Sequence, residues 1–180
     1  ITRGARVRIG RFCKRQAVGI GADHQTPARC GHNQWRRAGA WGRKDDILTT
    51  FTDLGLPAKM VARLEQSGLT TPTPIQDGAI PLALEGRDVM GLAQTGTGKT
   101  LAFGLPLITA MQNFGCKPER RTVRGLVLAP TRELANQINA TLRDQVQGTP
   151  TKVGLVVGGV GLGPQIKRLE RGTDILVATP

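Results

Sequence analysis

The sequence lacks a long hydrophobic run. A membrane-spanning helix needs about eighteen consecutive apolar residues, and no stretch of this sequence approaches that length. The N-terminus carries basic residues without the apolar segment that a signal peptide needs. These two absences argue against membrane-spanning and secreted classes of protein and predict a cytoplasmic location.

Cysteine is scarce. The three cysteines, Cys13, Cys30 and Cys116, are too few and too irregularly spaced for a disulfide framework, which predicts free thiols. Cys13 and Cys30 could form a zinc site with His24 and His32. Their spacing provides neither the C-x2-C nor the H-x3-H pair of the usual zinc folds, so a metal site is disfavoured.

Acidic residues are also few: 13 Asp and Glu face 25 Lys and Arg, for a net charge of +12. Residues 1–46 carry +8 of this charge and show no sustained apolar periodicity, which predicts a basic, disordered tail. Three interpretations of the tail stay open: an arm that contacts RNA phosphates, a solvated segment without a role, or a misassigned start with coding sequence beginning near Phe51.

Residues 47–180 show orderly patterning, and the length predicts a single domain. Two helices are predicted at 53–66 and 75–84, and four strands at 89–93, 126–130, 153–157 and 174–179. Strands that alternate with helices predict an α/β fold, a parallel sheet with helices on both faces. The start at Ile1 and the end within an apolar run predict a fragment of a longer protein.

Residues 93–100 read A-Q-T-G-T-G-K-T, between an apolar run and a predicted helix. This is the strand, glycine loop and helix of a phosphate-binding P-loop, in which Gly96 and Gly98 let backbone amides turn inward. Lys99 would reach the β and γ phosphates, and Thr100 would offer its hydroxyl to Mg²⁺. The strict pattern fails at Ala93, where it requires glycine.

The P-T-P-I-Q segment at 72–76 precedes the P-loop by about twenty residues, and Phe51 stands seventeen residues before Gly68. The amide of Gln76 can donate and accept at once, so it can pair with N6–H and N7 of adenine. The ring of Phe51 can stack on the base. Taken alone, the segment is only a turn and a helix start.

Two further segments follow predicted strands. In P-T-R-E-L-A, Thr131 can cap a helix whose free amides form an anion site together with Arg132, although an N-cap without a ligand is equally plausible. The Gly158-Gly159 pair allows close approach of another backbone, or is a plain loop.

From residue 51 to 180 the chain resembles the first RecA-like domain of DEAD-box ATP-dependent RNA helicases, most of all a bacterial one. The motifs stand in the family's order: the segment containing Gln76, the P-loop, P-T-R-E-L-A, the glycine pair, and Thr179-Pro180 as the first half of T-P-G-R. The family's P-loop carries alanine at the position of Ala93, so that departure from the strict pattern supports the resemblance.

The resemblance implies an enzyme that couples ATP hydrolysis to RNA strand separation, with ATP and Mg²⁺ as cofactors and RNA bound through its backbone, independently of sequence. It implies a nucleotide-binding set of Phe51, Thr73, Gln76, Ala93, Thr95, Gly96, Thr97, Gly98, Lys99 and Thr100. Of these, Lys99 and Thr100 would be catalytic and Thr100 would bind the metal. It implies RNA contacts at Pro130, Thr131, Arg132, Gly158, Gly159, Thr179 and Pro180.

The family's D-E-A-D motif, its S-A-T motif and its second RecA-like domain are absent from these 180 residues. This departure predicts that the polypeptide alone is inactive. Two alternatives remain open: a non-catalytic module that binds adenine nucleotides and RNA, and an unrelated P-loop ATPase or kinase. The latter would leave Phe51, Gln76 and P-T-R-E-L-A unexplained.

Overall fold

The structure is a computed structural model that describes residues 49–180 and the backbone of residues 5–7. The rest of the basic tail, including Cys13, His24, Cys30 and His32, lies outside the described residues. Strand β1 (Ala5–Val7) forms regular structure inside the segment that was predicted to be a disordered tail.

Helix α1 (Ala58–Gln66) is shorter than the predicted 53–66. Residues 51–55 form turns, because Asp53 accepts hydrogen bonds at its carboxylate from the Thr50 amide at 2.8 Å and hydroxyl at 2.7 Å. These bonds hold the pKa of the exposed Asp53 carboxyl below its usual value, and the hydroxyl bond lowers it more than the amide bond does. The helix ends as predicted before Gly68, whose φ of 78° suits a residue without a side chain.

Helix α2 (Pro74–Leu84) confirms the predicted 75–84 to within one residue. Proline at its first position fits a helix start, because that residue needs no hydrogen-bonded N–H. Thr73 and Gln76 close a capping box at the same end, in which the Thr73 amide donates to Gln76 Oε1 at 3.0 Å. This helix start therefore has a defined conformation just where Gln76 lies.

Three of the four predicted parallel strands form one sheet. Strands β3 (Val123–Leu128), β4 (Val153–Val156) and β5 (Thr173–Ala178) are parallel in the order β3-β5-β4. Helices α3 (Lys99–Asn113), α4 (Arg132–Val146) and α5 (Leu162–Leu169) connect and flank the strands. This arrangement confirms the α/β class.

The fourth predicted strand, β2 (Val89–Gly91), does not join this sheet. It pairs antiparallel with β1, with Met90 opposite Arg6, so this predicted strand lies outside the parallel sheet. Strand backbone groups need partners, and within the described residues those of β2 find them on β1. One face of β3 also stays open, with Leu126 and Leu128 57% and 63% exposed, so helices do not cover both faces there.

The core lies between the helices and the covered face of the sheet. Fully buried apolar side chains come from α1, α2, α3, α4 and β5, which the alternating pattern of the sequence had indicated. They are Leu64, Ile80, Leu105, Ile108, Leu142, Ile175 and Val177. Across residues 49–180, no helix combines the length and the apolar character needed to cross a membrane.

Candidate phosphate site and nucleic-acid interface

The P-loop occupies the predicted strand, loop and helix. It leaves β2 after Gly91 and enters α3 at Lys99. Gly96 and Gly98 have φ of 84° and 79°, the left-handed region in which a side chain is strained. Amides in the first turn of a helix lack intrahelical acceptors and carry the positive end of the helix dipole, so this loop can bind a phosphate anion.

Lys99 folds back across the loop. Its ammonium donates to the Ala93 carbonyl at 2.5 Å and to the Gln94 carbonyl. The Thr97 hydroxyl donates to the same Gln94 carbonyl at 2.8 Å, while Thr95 is exposed on the loop. A bound phosphate would replace the two carbonyls as the partner of the ammonium, because a charge-assisted bond to an anion is the stronger one.

Thr100 is half-buried at the start of α3, and its hydroxyl has no protein partner among the described residues. It is thus available to a metal ion held against phosphates. The described residues contain no group of three His, Cys, Asp or Glu side chains that could hold a metal by themselves. The residues present therefore fit a nucleotide-bound Mg²⁺ rather than an independent metal centre.

Thr73 and Gln76, two members of the predicted nucleotide-binding set, pack against the P-loop. Thr73 donates its hydroxyl to the Thr97 carbonyl at 2.9 Å, and Gln76 Nε2 donates to the Gly98 carbonyl at 3.1 Å. Gln76 Oε1 accepts from the Thr73 amide, and the side chain is only 3% exposed. Both ends of the Gln76 amide are thus used within the protein, a buttressing role that the sequence did not reveal.

Phe51 lies in the hydrophobic core and not on a surface that a nucleotide could reach. Its ring is 2% exposed and belongs to the main hydrophobic core. Because the ring is buried, neither of its faces is open to a base in this conformation. Burial of an apolar ring stabilises the fold, which favours this position. Stacking of adenine on Phe51 remains a prediction, and it requires the ring to leave this packing.

The seven residues predicted to contact RNA converge on the carboxyl ends of the three parallel strands. Pro130, Thr131 and Arg132 follow β3, Gly158 and Gly159 follow β4, and Thr179 and Pro180 follow β5. The ladder continues past the strand ends, with the Ala129 amide bonded to the Ala178 carbonyl at 2.9 Å. Ligands of parallel sheets bind at this edge.

Thr131 is the N-cap of α4, as predicted, and accepts a hydrogen bond from the Leu134 amide at 3.3 Å. The Arg132 guanidinium lies directly over the glycine pair, so a Cβ added to Gly159 would overlap it. The glycine pair therefore admits a side chain, where the sequence suggested the approach of another backbone.

Gln165 was missed by the sequence reasoning. It is 6% exposed, accepts from the Val157 amide at 3.0 Å and donates to the Val157 and Val160 carbonyls at 3.2 and 3.1 Å. These bonds fix the loop that presents the glycine pair. A lone glutamine in a short helix carries no sequence signal for this role.

Asp174 was also missed. Its carboxylate pairs with Arg124 at 3.2 Å and accepts from the Lys152 amide at 2.9 Å, so it joins all three strands. It lies at the amino end of β5, opposite the end that carries Thr179. Asp174 is therefore a structural residue and lies away from the predicted RNA contacts.

Comparison with known proteins agrees with this geometry. The model of the DEAD/DEAH box helicase family matches residues 73–180. The ATP-dependent RNA helicase-like protein DB10 of Nicotiana sylvestris is 38% identical over 164 residues, which are 91% of this chain and 26% of that protein.

Among solved structures, the RNA helicase Prp28 from Chaetomium thermophilum bound to ADP superposes with a TM-score of 0.64 at 39% identity. The match covers 73% of this chain and 32% of that one. The present chain thus spans about a quarter to a third of the length of these relatives.

Proposed function

This chain belongs to the DEAD/DEAH box helicase family, and from that premise we propose that it forms the ATP-binding and part of the RNA-binding surface of an ATP-dependent RNA helicase. The P-loop carries the proposal: left-handed glycines at 96 and 98, Lys99 above the loop and Thr100 with a free hydroxyl. Phosphoryl transfer depends on positioning and charge neutralisation, which these groups provide.

In this mechanism the loop amides and Lys99 bind the β and γ phosphates. Lys99 exchanges the Ala93 and Gln94 carbonyls for phosphate oxygens, so nucleotide binding releases the loop from its own lysine. Thr100 would hold the Mg²⁺ that accompanies the nucleotide. When bound, that ion neutralises charge on the phosphates.

We propose that Gln76 links base recognition to the phosphate loop. Its amide now bonds to the Gly98 carbonyl and the Thr73 amide. Adenine could take over both bonds, because its N6–H is a donor and its N7 an acceptor, whereas guanine presents an acceptor at position 6. Base exchange at Gln76 would then remove the side-chain bond to the Gly98 carbonyl, which would keep its bonds from the Leu101 and Ala102 amides of α3.

RNA is proposed to lie along the carboxyl edge of the sheet, at residues 130–132, 158–159 and 179–180. Arg132 and the α4 amides suit phosphate oxygens, and the glycine pair lets the Arg132 guanidinium lie at this edge. Contacts to phosphates carry no sequence information, so we expect binding that is independent of sequence. The proposed location is cytoplasmic, which fractionation of cells expressing the tagged full-length protein would test.

The experiment that tests the P-loop assignment is a titration with a fluorescent ATP analogue. Lys99→Ala should lower the affinity by about a hundredfold, because a charge-assisted bond to phosphate contributes ~1.5–3 kcal/mol and Lys99 faces two phosphates. Lys117→Ala, an exposed lysine outside the loop, is the matched control and should bind like the wild type. Unchanged affinity in Lys99→Ala would refute the assignment.

The non-catalytic binding module remains the second candidate function. The glycine loop and Lys99 suit phosphate binding by themselves, which is all that a binding module requires. Phosphate release by the full-length protein with RNA and Mg²⁺ separates the two, since a helicase hydrolyses ATP and a binding module does not.

A further inference from the structure

A second charged surface lies apart from the P-loop and from the predicted RNA contacts. It is a groove of about 780 Å³ along β4, between α4 and α5. Its walls carry five exposed cations, and we call it the basic groove. The cations are Arg143, Lys152, Lys167, Arg168 and Arg171.

The positive charge of the basic groove is not compensated. Its lining contains no Asp or Glu, and none of its five cations forms an ion pair within residues 49–180. Three acids lie close to these cations in sequence, and each has another side-chain partner. Asp174 pairs with Arg124, Glu170 pairs with Arg121 at 3.7 Å, and Asp144 accepts from Gln147 Nε2 at 3.3 Å. The groove therefore attracts an anionic partner.

The floor of the basic groove is an open strand edge. Strand β4 ends the order β3-β5-β4 and pairs only with β5 among the described strands. Val153, Gly154 and Leu155 are half-buried and line the groove. The outward amides and carbonyls of such an edge can bond to another extended backbone.

We propose that the basic groove binds an extended acidic peptide that adds a strand to β4. The peptide backbone would pair with Val153–Leu155, and its carboxylates would meet the cations of α5 and of Arg143 and Lys152. Strand addition thus uses the open edge and the charge of the groove together.

Single-stranded RNA fits this surface less well. Within residues 49–180, no aromatic side chain lines the groove to stack a base. A phosphodiester backbone cannot continue a β-ladder. Lys152 and Thr173 also place part of the groove at the amino ends of β4 and β5, whereas the predicted RNA contacts follow the carboxyl ends.

Fluorescence anisotropy tests the proposal, with a labelled peptide of roughly eight residues that alternates glutamate with valine. The 180-residue chain should bind it. Lys167→Glu/Arg168→Glu should weaken binding about tenfold or more, because two charge-assisted contacts are reversed. The control pair Lys59→Glu/Lys117→Glu changes the net charge equally on exposed sites outside the groove and should shift binding less than about twofold.

Two further probes separate strand addition from charge alone and from RNA. A peptide N-methylated at alternate residues cannot form the ladder and should bind about tenfold more weakly than its parent. A U10 RNA should respond equally to both double variants.

Equal binding of the methylated peptide, or equal loss in the two double variants, would overturn the proposal. So would an RNA that loses affinity only with Lys167→Glu/Arg168→Glu while the peptide fails to bind. Matching thermal unfolding of both variants shows that any loss is not due to misfolding.

Discussion

Replacing Gly98 by alanine should destabilise the protein more than replacing Gly96. Both glycines have positive φ, 79° and 84°, so alanine at either carries a strain of about 1–2 kcal/mol. This is partly offset by ~0.4–1 kcal/mol from the less flexible unfolded chain. The surroundings differ: a Cβ at Gly96 meets nothing within 4 Å, whereas a Cβ at Gly98 would overlap Gln76 Nε2.

The additional cost at Gly98 comes from the Gln76 amide. Its displacement breaks the 3.1 Å bond to the Gly98 carbonyl and leaves a buried polar group unpaired, at a cost of about 1–3 kcal/mol. We therefore expect a loss of unfolding free energy of about 1 kcal/mol for Gly96→Ala and about 2–4 kcal/mol for Gly98→Ala.

Urea denaturation of the two variants measures this difference, and a double-mutant cycle identifies its cause. In the Gln76→Ala background the overlap is gone, so Gly98→Ala should cost about as much as Gly96→Ala. Two results would refute this role of Gln76. One is an equal loss of unfolding free energy for both alanine variants in the wild-type background, and the other is an excess loss at Gly98 that persists without the Gln76 amide.

Three other predictions concern the nucleotide site. Gln76→Ala should erase any preference for ATP over GTP, measured by competition against a labelled ATP analogue; equal discrimination in mutant and wild type would contradict adenine reading. Phe51→Ala should lower the unfolding free energy by about 3–5 kcal/mol, because a core ring is removed; a variant as stable as the wild type that loses only purine affinity would favour stacking instead. The sequence contains no D-E-A-D motif, so we expect the 180-residue chain by itself to show no RNA-stimulated phosphate release; turnover that disappears in Lys99→Ala would contradict this.

Local features of this chain were predictable from sequence because short segments determine them. The P-loop needs only an apolar run, two glycines and a following helix, and the Thr131 cap needs only its own hydroxyl and a nearby amide. The start of α1 was misplaced because the apolar periodicity continues upstream, whereas Gly55 with φ of 82° and Pro57 delay the helix.

Non-local features were not predictable. The pairing of β2 with residues 5–7 depends on which strand edge is near, and periodicity does not encode that. The spacing of Phe51 and Gln76 suggested a shared site, but it could not show that the ring is buried in the core or that the amide bonds to the P-loop. Sequence motifs thus located the P-loop, and the structure shows the side chains that support it.

The uncovered face of β3 affects the solubility of this polypeptide. Leu126 and Leu128 lie on the outermost strand of the sheet, next to backbone groups without a neighbouring strand in the described chain. Such an edge promotes aggregation as the protein concentration rises. Stock solutions are therefore best kept dilute, and a lysine in place of Leu126 would act as a solubility-enhancing replacement that leaves the buried side of the strand unchanged.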